Sequence, residues 1–174
     1  MLKFIKAKYL ILIALVGFVV CADQVTKMHS HTNYQLGETT PVIQDFFHIT
    51  YVRNEGAAFG FLNEASFRQT FFLIVPVIAM VTILFMLYGA RDDDRPQILA
   101  LSAIFGGALG NYIDRLNLGF VVDFLDFHWK QFYSFPAFNI ADISIVCGVM
   151  VLLFLTLLET KQEYKAKQLA AKKS

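Results

Sequence analysis

Charge is scarce in this chain. Of 174 residues, 15 are Lys or Arg and 14 are Asp or Glu, and the net charge is +1. Charged residues make up 17% and hydrophobic ones 56%, whereas a soluble domain carries about 25% charged residues. Such a balance excludes a broad basic surface, and with it a nucleic-acid partner held through its phosphates. Cysteine is scarcer still. Cys21 and Cys147 each sit inside an apolar run, which excludes a disulfide framework and reads as small buried hydrophobes. His29, His31, His48 and His128 lack the H-x-x-x-H spacing of a helical metal pair, so neither a metal site nor a cofactor is expected. There is no G-x-S-x-G motif and no Cys–His pairing on the outer side, which removes the usual serine and cysteine nucleophiles. No internal repeat is visible.

What the chain has in abundance is apolar length. A spanning helix needs roughly 20 mostly apolar residues. Four stretches approach this, at about 4–22, 71–89, 97–113 and 139–158. The lysines at the start of the first can snorkel to the interface. Pro76 is tolerable in the second because neighbouring helices can satisfy the freed carbonyl. The third is rich in small residues that permit close packing. The first also carries the basic start and small-residue end of a cleavable leader, a competing reading that leaves three spans.

Orientation follows from Lys and Arg. Lys3, Lys6 and Lys8 precede the first span, Arg91 and Arg95 separate the second from the third, and five lysines lie in the basic tail 159–174. Both termini are therefore expected in the cytoplasm, which four retained spans satisfy. The expected architecture is an all-α membrane protein of one domain, with four transmembrane helices and two extracytoplasmic loops at about 23–68 and 114–138. In the first loop, Phe47 to Asn54 is rich in strand formers and predicts a hairpin or small sheet. In the second, Phe127 to Phe138 is dense in aromatics with one lysine and predicts a segment lying at the headgroups.

The informative residues are polar ones at the outer ends of spans. Asn111, Asp114 and Arg115 fall at i, i+3 and i+4, and so do Asn139 and Asp142 at i and i+3; each set shares a helix face. Asp123 and Asp126 sit in the loop between. Asp23 and Lys27 end the first span four residues apart. The topology places Asp114, Asp123 and Asp142 at one membrane boundary, where Asp123 and Asp142 can face each other. Two facing carboxyls in a dry place titrate as a unit and share one proton. That arrangement supports aspartic-type hydrolysis, in which one member activates water and the other hydrogen-bonds the scissile carbonyl.

Plainer roles are open at each position. Asn139 can be an N-cap with Asp142 in the first turn. Asp114 and Arg115 can be a structural ion pair, as can Asp23 and Lys27. Asp126 reads as solvated.

Five segments together resemble the lipoprotein signal peptidase family, also called signal peptidase II: DQVTK (Asp23 to Lys27), VRNEGAAFG (Val52 to Gly60), GGALGNYIDR (Gly106 to Arg115), GFVVDF (Gly119 to Phe124) and FNIADISI (Phe138 to Ile145). The resemblance covers nearly the whole chain. It implies an aspartic endopeptidase of the bacterial inner membrane that cuts diacylglyceryl-modified prolipoproteins just before the lipidated cysteine. It makes Asp123 and Asp142 the catalytic pair, with Asn111 and Asn139 as polar partners. Asn54 and Arg115 become substrate contacts, Asp114 a support for Arg115 or the site wall, and Asp23 and Lys27 structural supports. Small residues at Gly56-Ala57-Ala58 suit close approach of an extended peptide. The implied partners are the prolipoprotein and membrane lipid, and a monomer suffices. The rival readings are a proton-coupled transporter or channel subunit and an assembly factor whose polar cluster is packing glue.

Overall fold

The computed structural model describes residues 6–56, 65–129 and 133–171. Lys3, Ala57, Ala58, Lys130, Lys172 and Lys173, which carry part of the sequence reading, lie outside them. The elements follow in the order α1 (Ala7–Asn33), β1 (Thr39–Ile43), β2 (Phe47–Asn54), α2 (Ala65–Gly89), α3 (Arg95–Leu118), β3 (Val121–Trp129), β4 (Tyr133–Ser134) and α4 (Ile140–Ala171).

Among the described residues three helices are long and apolar enough to cross a membrane: α1, the Thr70–Gly89 part of α2, and α4. Most of their large side chains face outward, Phe18, Phe85 and Leu157 among them, as lipid-facing surfaces require. Cys21 and Cys147 are exposed as well, so they belong to this outer surface and not to the core. The third expected span, within α3, does not join the three. The physical reason is its place: α3 packs against α1, α2 and α4 at once. A helix walled by protein can replace large apolar residues with small and polar ones. Gly106, Gly107, Gly110 and Ser102 on α3 are buried. A Cβ on Gly107 would overlap the carbonyl oxygen of Ala141, and one on Gly110 would stand 2.7 Å from Asp23 Oδ2.

Helix α1 runs eleven residues beyond its expected end at Ala22, because Asp23 and Lys27 are buried against α3 instead of facing water. Asp23 and Lys27 thus lie within the helix. At the other end Lys8 does not snorkel. It is buried, and its Nζ donates to the carbonyls of Tyr88 and Ala90 at 2.9 Å each, holding the last turn of α2. Ile83, Leu87, Ala90, Ile98 and Leu101 form the core beside it.

Between the helices the chain forms an antiparallel sheet in the order β1-β2-β3-β4. The expected hairpin is β1–β2, turning through Asp45 at φ 59. The second expected loop is not all loop: it contains β3 and β4. Gly119, at φ 81, closes α3 and lets the chain enter β3 two residues later. The aromatics of β3 then stack inside the fold, Phe127 on Phe47 and on Phe138. Asp123 and Asp126 therefore lie on a strand, and Asp126 is half-buried and 2.7 Å from His128 Nε2, not solvated. Phe138 is fixed to β3 by exchanged backbone bonds with Leu125, which sets where α4 begins.

Candidate active site

The site lies where β3, the start of α4 and the C-terminal halves of α1 and α3 meet. Asn139 is fully buried and caps α4: its Oδ1 accepts the N–H of Asp142 at 2.9 Å, while Asp142 Oδ2 accepts the N–H of Asn139 at 3.2 Å. The exchange is a capping box with a carboxylate at its third position. The same asparagine donates its Nδ2 to Asp123 Oδ1 at 2.7 Å and to Asn111 Oδ1 at 3.2 Å. Asn111 in turn donates to Asp142 Oδ1 at 2.7 Å. The two aspartates are thus joined through two asparagines, and Asn139 is both cap and bridge. Asn54, at the end of β2, donates to Asp123 Oδ2 at 2.9 Å.

Asp123 is 2% exposed. Burial pushes its carboxyl up to about 6; the bond from Asn54 opposes this, and the nearby Asp142 carboxyl adds to it. Asp142 is half-buried and borders a cavity of about 290 Å³ lined otherwise by Phe135, Phe138, Ile143, Val146 and Cys147. One carboxyl is enclosed, and the other looks onto an apolar recess.

Behind the pair lies a buried charge network. Lys27 Nζ reaches Asp23 Oδ2 at 2.8 Å, Asp114 Oδ2 at 3.0 Å and Asn111 Oδ1 at 2.9 Å, which uses all three of its donors. Asp23 Oδ1 accepts the N–H of Ala141 at 2.9 Å, and Asp114 Oδ2 that of Val122 at 3.0 Å. Gln24 joins in, donating to Asp114 Oδ1 at 2.8 Å. Sequence reasoning missed Gln24, although it stands inside the DQVTK motif and could have been found there.

Two expectations change. Asp114 forms no ion pair with Arg115 among the described residues; its oxygens serve Lys27, Gln24 and Val122. Arg115 instead stacks its guanidinium 4.9 Å from the centre of the Phe72 ring and donates to the Asn111 carbonyl at 3.3 Å, within electrostatic reach of Asp142, Asp114 and Asp123. Gly56, at φ 74, has no room for a peptide on its Cβ side, since a Cβ there would overlap the Phe72 ring. Its N–H donates to Asn54 Oδ1 at 2.9 Å, so it orients the asparagine that holds Asp123.

The family described as signal peptidase (SPase) II matches residues 15–158. The chain belongs to the signal peptidase II family. It is 46% identical to the lipoprotein signal peptidase of Geobacter sulfurreducens over 147 residues, 84% of this chain and 91% of that protein. It is 44% identical to the lipoprotein signal peptidase of Syntrophus aciditrophicus over 149 residues, 84% of this chain and 92% of that one. A bacterial membrane enzyme structure obtained by the in meso method matches with TM-score 0.77 and 38% identity, over 87% of this chain and 90% of that chain. Membership in the signal peptidase II family sets aside the transporter and assembly-factor readings.

Proposed function

We propose that this chain is an aspartic endopeptidase that removes signal peptides from diacylglyceryl-modified prolipoproteins by cutting before the lipidated cysteine. The observation that carries the reading is the join between Asp123 and Asp142 through Asn139 and Asn111. Asp123, enclosed and pushed up, holds the shared proton; Asp142, facing the recess, holds the charge. Water enters between them. Asp142 takes a proton from the water as its oxygen attacks the scissile carbonyl carbon. Asp123 hydrogen-bonds the carbonyl oxygen and passes its proton to the developing oxyanion, giving a neutral gem-diol. As the intermediate collapses, the proton on Asp142 passes to the leaving amine nitrogen, and Asp123 regains its own.

The apolar recess beside Asp142 suits the acyl chains or the apolar end of a signal peptide. Arg115, with its charge near both aspartates, suits the substrate backbone or the lipid ester oxygens. In the proposed topology α3 crosses as well and makes four spans, both termini are cytoplasmic and the site lies at the outer face of the bacterial cytoplasmic membrane. The molecule acts as a monomer.

The test is cleavage by the purified protein of a prolipoprotein with and without its diacylglyceryl group. The lipidated form should be cut before the modified cysteine and the plain form left intact. Equal cleavage of both forms defeats the substrate assignment.

A further inference from the structure

A second cluster of ligating side chains stands at the far end of the sheet. His48 on β2 and Asp126 on β3 are direct cross-strand partners. His128 follows two residues later along β3, on the same face as Asp126. Separations in sequence conceal this grouping, which is why the H-x-x-x-H criterion passes over it. The ligand atoms of the three lie within 4.8 Å of one another. The two imidazole rings have centroids 4.5 Å apart, and His128 Nε2 is 2.7 Å from Asp126 Oδ2. His48 Nε2 is buried and has no hydrogen-bond partner. Native proteins rarely leave such an atom unsatisfied.

We propose that His48, Asp126 and His128 bind one divalent transition-metal ion of the Zn²⁺ class, through two imidazole nitrogens and one carboxylate oxygen. Water takes the remaining position. This donor set suits Zn²⁺ and its first-row neighbours better than Ca²⁺ or Mg²⁺, which want mostly oxygen. Metal–ligand lengths of about 2.0–2.2 Å place neighbouring ligands of a tetrahedral ion roughly 3.3 Å apart. The observed separations, from 2.7 Å to at most 4.8 Å, bracket that spacing. All three residues are half-buried, so an ion can enter from solvent.

The ion faces away from the proposed catalytic pair, because Asp126 and His128 alternate with Asp123 along β3. It ties β2 to β3 at the end opposite Asn54 and Val121. Its work is to hold the sheet, and it takes no part in hydrolysis. The inference stands apart from the aspartic reading and survives that reading's failure.

The experiment uses the full chain, purified without a histidine tag, stripped by dialysis against chelator and titrated with Zn²⁺ or Co²⁺. The wild type should retain one Zn²⁺ per chain by elemental analysis and melt at a higher temperature with Zn²⁺ than without. Co²⁺ should give the visible bands of a tetrahedral nitrogen–oxygen site, with no thiolate charge-transfer band. His48→Phe keeps a ring against His128 but removes the nitrogen, so it should lose stoichiometric Zn²⁺ and the Zn²⁺-dependent melting shift. Monodisperse behaviour in detergent and the wild-type melting temperature without metal should report an intact fold. Asp126→Asn should weaken Zn²⁺ binding at least about tenfold. His29→Ala, on α1, should bind as the wild type does. Absence of retained Zn²⁺ in the wild type overturns the site, and so does undiminished binding by both His48→Phe and Asp126→Asn.

Discussion

The carboxylate of Asp23 accepts the backbone N–H of Ala141 at 2.9 Å, one residue ahead of Asp142. Asp114 does the same for Val122, one residue ahead of Asp123. Each proposed catalytic aspartate is therefore preceded by an amide held on a buried carboxylate from a different element. Lys27 joins the two holders. This gives the charges in DQVTK a task that a surface ion pair would not have: they fix where α4 and β3 start relative to each other.

Lys27→Met keeps the length of the side chain and removes the charge, leaving Asp23 and Asp114 buried together without a cation. Breaking a buried pair in this way costs about 3–5 kcal/mol. The expected outcome is a large fall in melting temperature in detergent, with cleavage falling alongside it. Lys6 is an exposed comparison, paired with Asp92 at 3.0 Å, and Lys6→Met should melt close to the wild type. Restoring one neutral partner, as in Lys27→Met with Asp114→Asn, should recover part of the loss. Equal melting of the Lys27 and Lys6 variants would remove the network from the fold's support.

Asp123→Asn and Asp142→Asn should each lower cleavage of lipidated prolipoprotein by at least about 10²-fold, the usual contribution of a positioned acid or base. The double variant should be scarcely worse than either single one, because residues that act as a unit are not additive. Insertion and monodisperse behaviour in detergent check that the chain still folds. Near-wild-type turnover by either single variant would end the assignment of the pair.

Asn139 has two tasks, and a substitution can separate them. Asn139→Ser keeps an oxygen to accept the Asp142 N–H, so the cap survives, but the serine is too short to bridge to Asp123. Stability should change little while kcat falls about tenfold or more, by loss of a hydrogen bond to a charged or proton-sharing group. Asn139→Ala should lose the cap as well, costing a further 1 kcal/mol or so. If the serine variant turned over at the wild-type rate, the bridge to Asp123 would have no part in catalysis.

Much of this was legible in the linear chain, and the failures have physical causes. The strand formers from Phe47 to Asn54 announce a strand, and the long runs in α2 and α4 announce membrane helices. Asp23 and Lys27 misled because paired charges end a span when they face water but not when they neutralise each other inside a helix packing. The runs around Asp123 and Phe127 misled as to loop because their aromatic density does not by itself announce a strand stacked against another strand. The small residues of α3 were read as suited to close packing, which is right. That they dilute the helix's apolarity below that of its neighbours follows from its central position, which only the fold reveals. The His48–Asp126–His128 grouping depends on register, a property of two strands together.

The titration of Asp123 gives the last prediction its sign. Its folded value stands near 6, above the 3.8 of the free group, first through burial and then through Asp142, with the Asn54 bond pulling the other way. A raised carboxyl binds its proton more tightly in the folded state. The stability it contributes is therefore full below pH 3.8 and is lost as pH rises through about 6, an amount of about 3 kcal/mol at 1.36 kcal/mol per pH unit. The protonated form is also the one proposed to hydrogen-bond the scissile carbonyl. The alkaline limb of kcat/KM, which reports the free enzyme, should then fall near pH 6, with the value belonging to the coupled pair. Asn54→Ala deletes a donor that favours the anion, so it must push Asp123 further up and move that limb to higher pH, even while lost positioning lowers the maximum rate. A pH–rate profile of the two proteins on one lipidated substrate measures the shift. A limb that stayed in place or moved to lower pH would show that Asp123 is not the member holding the proton.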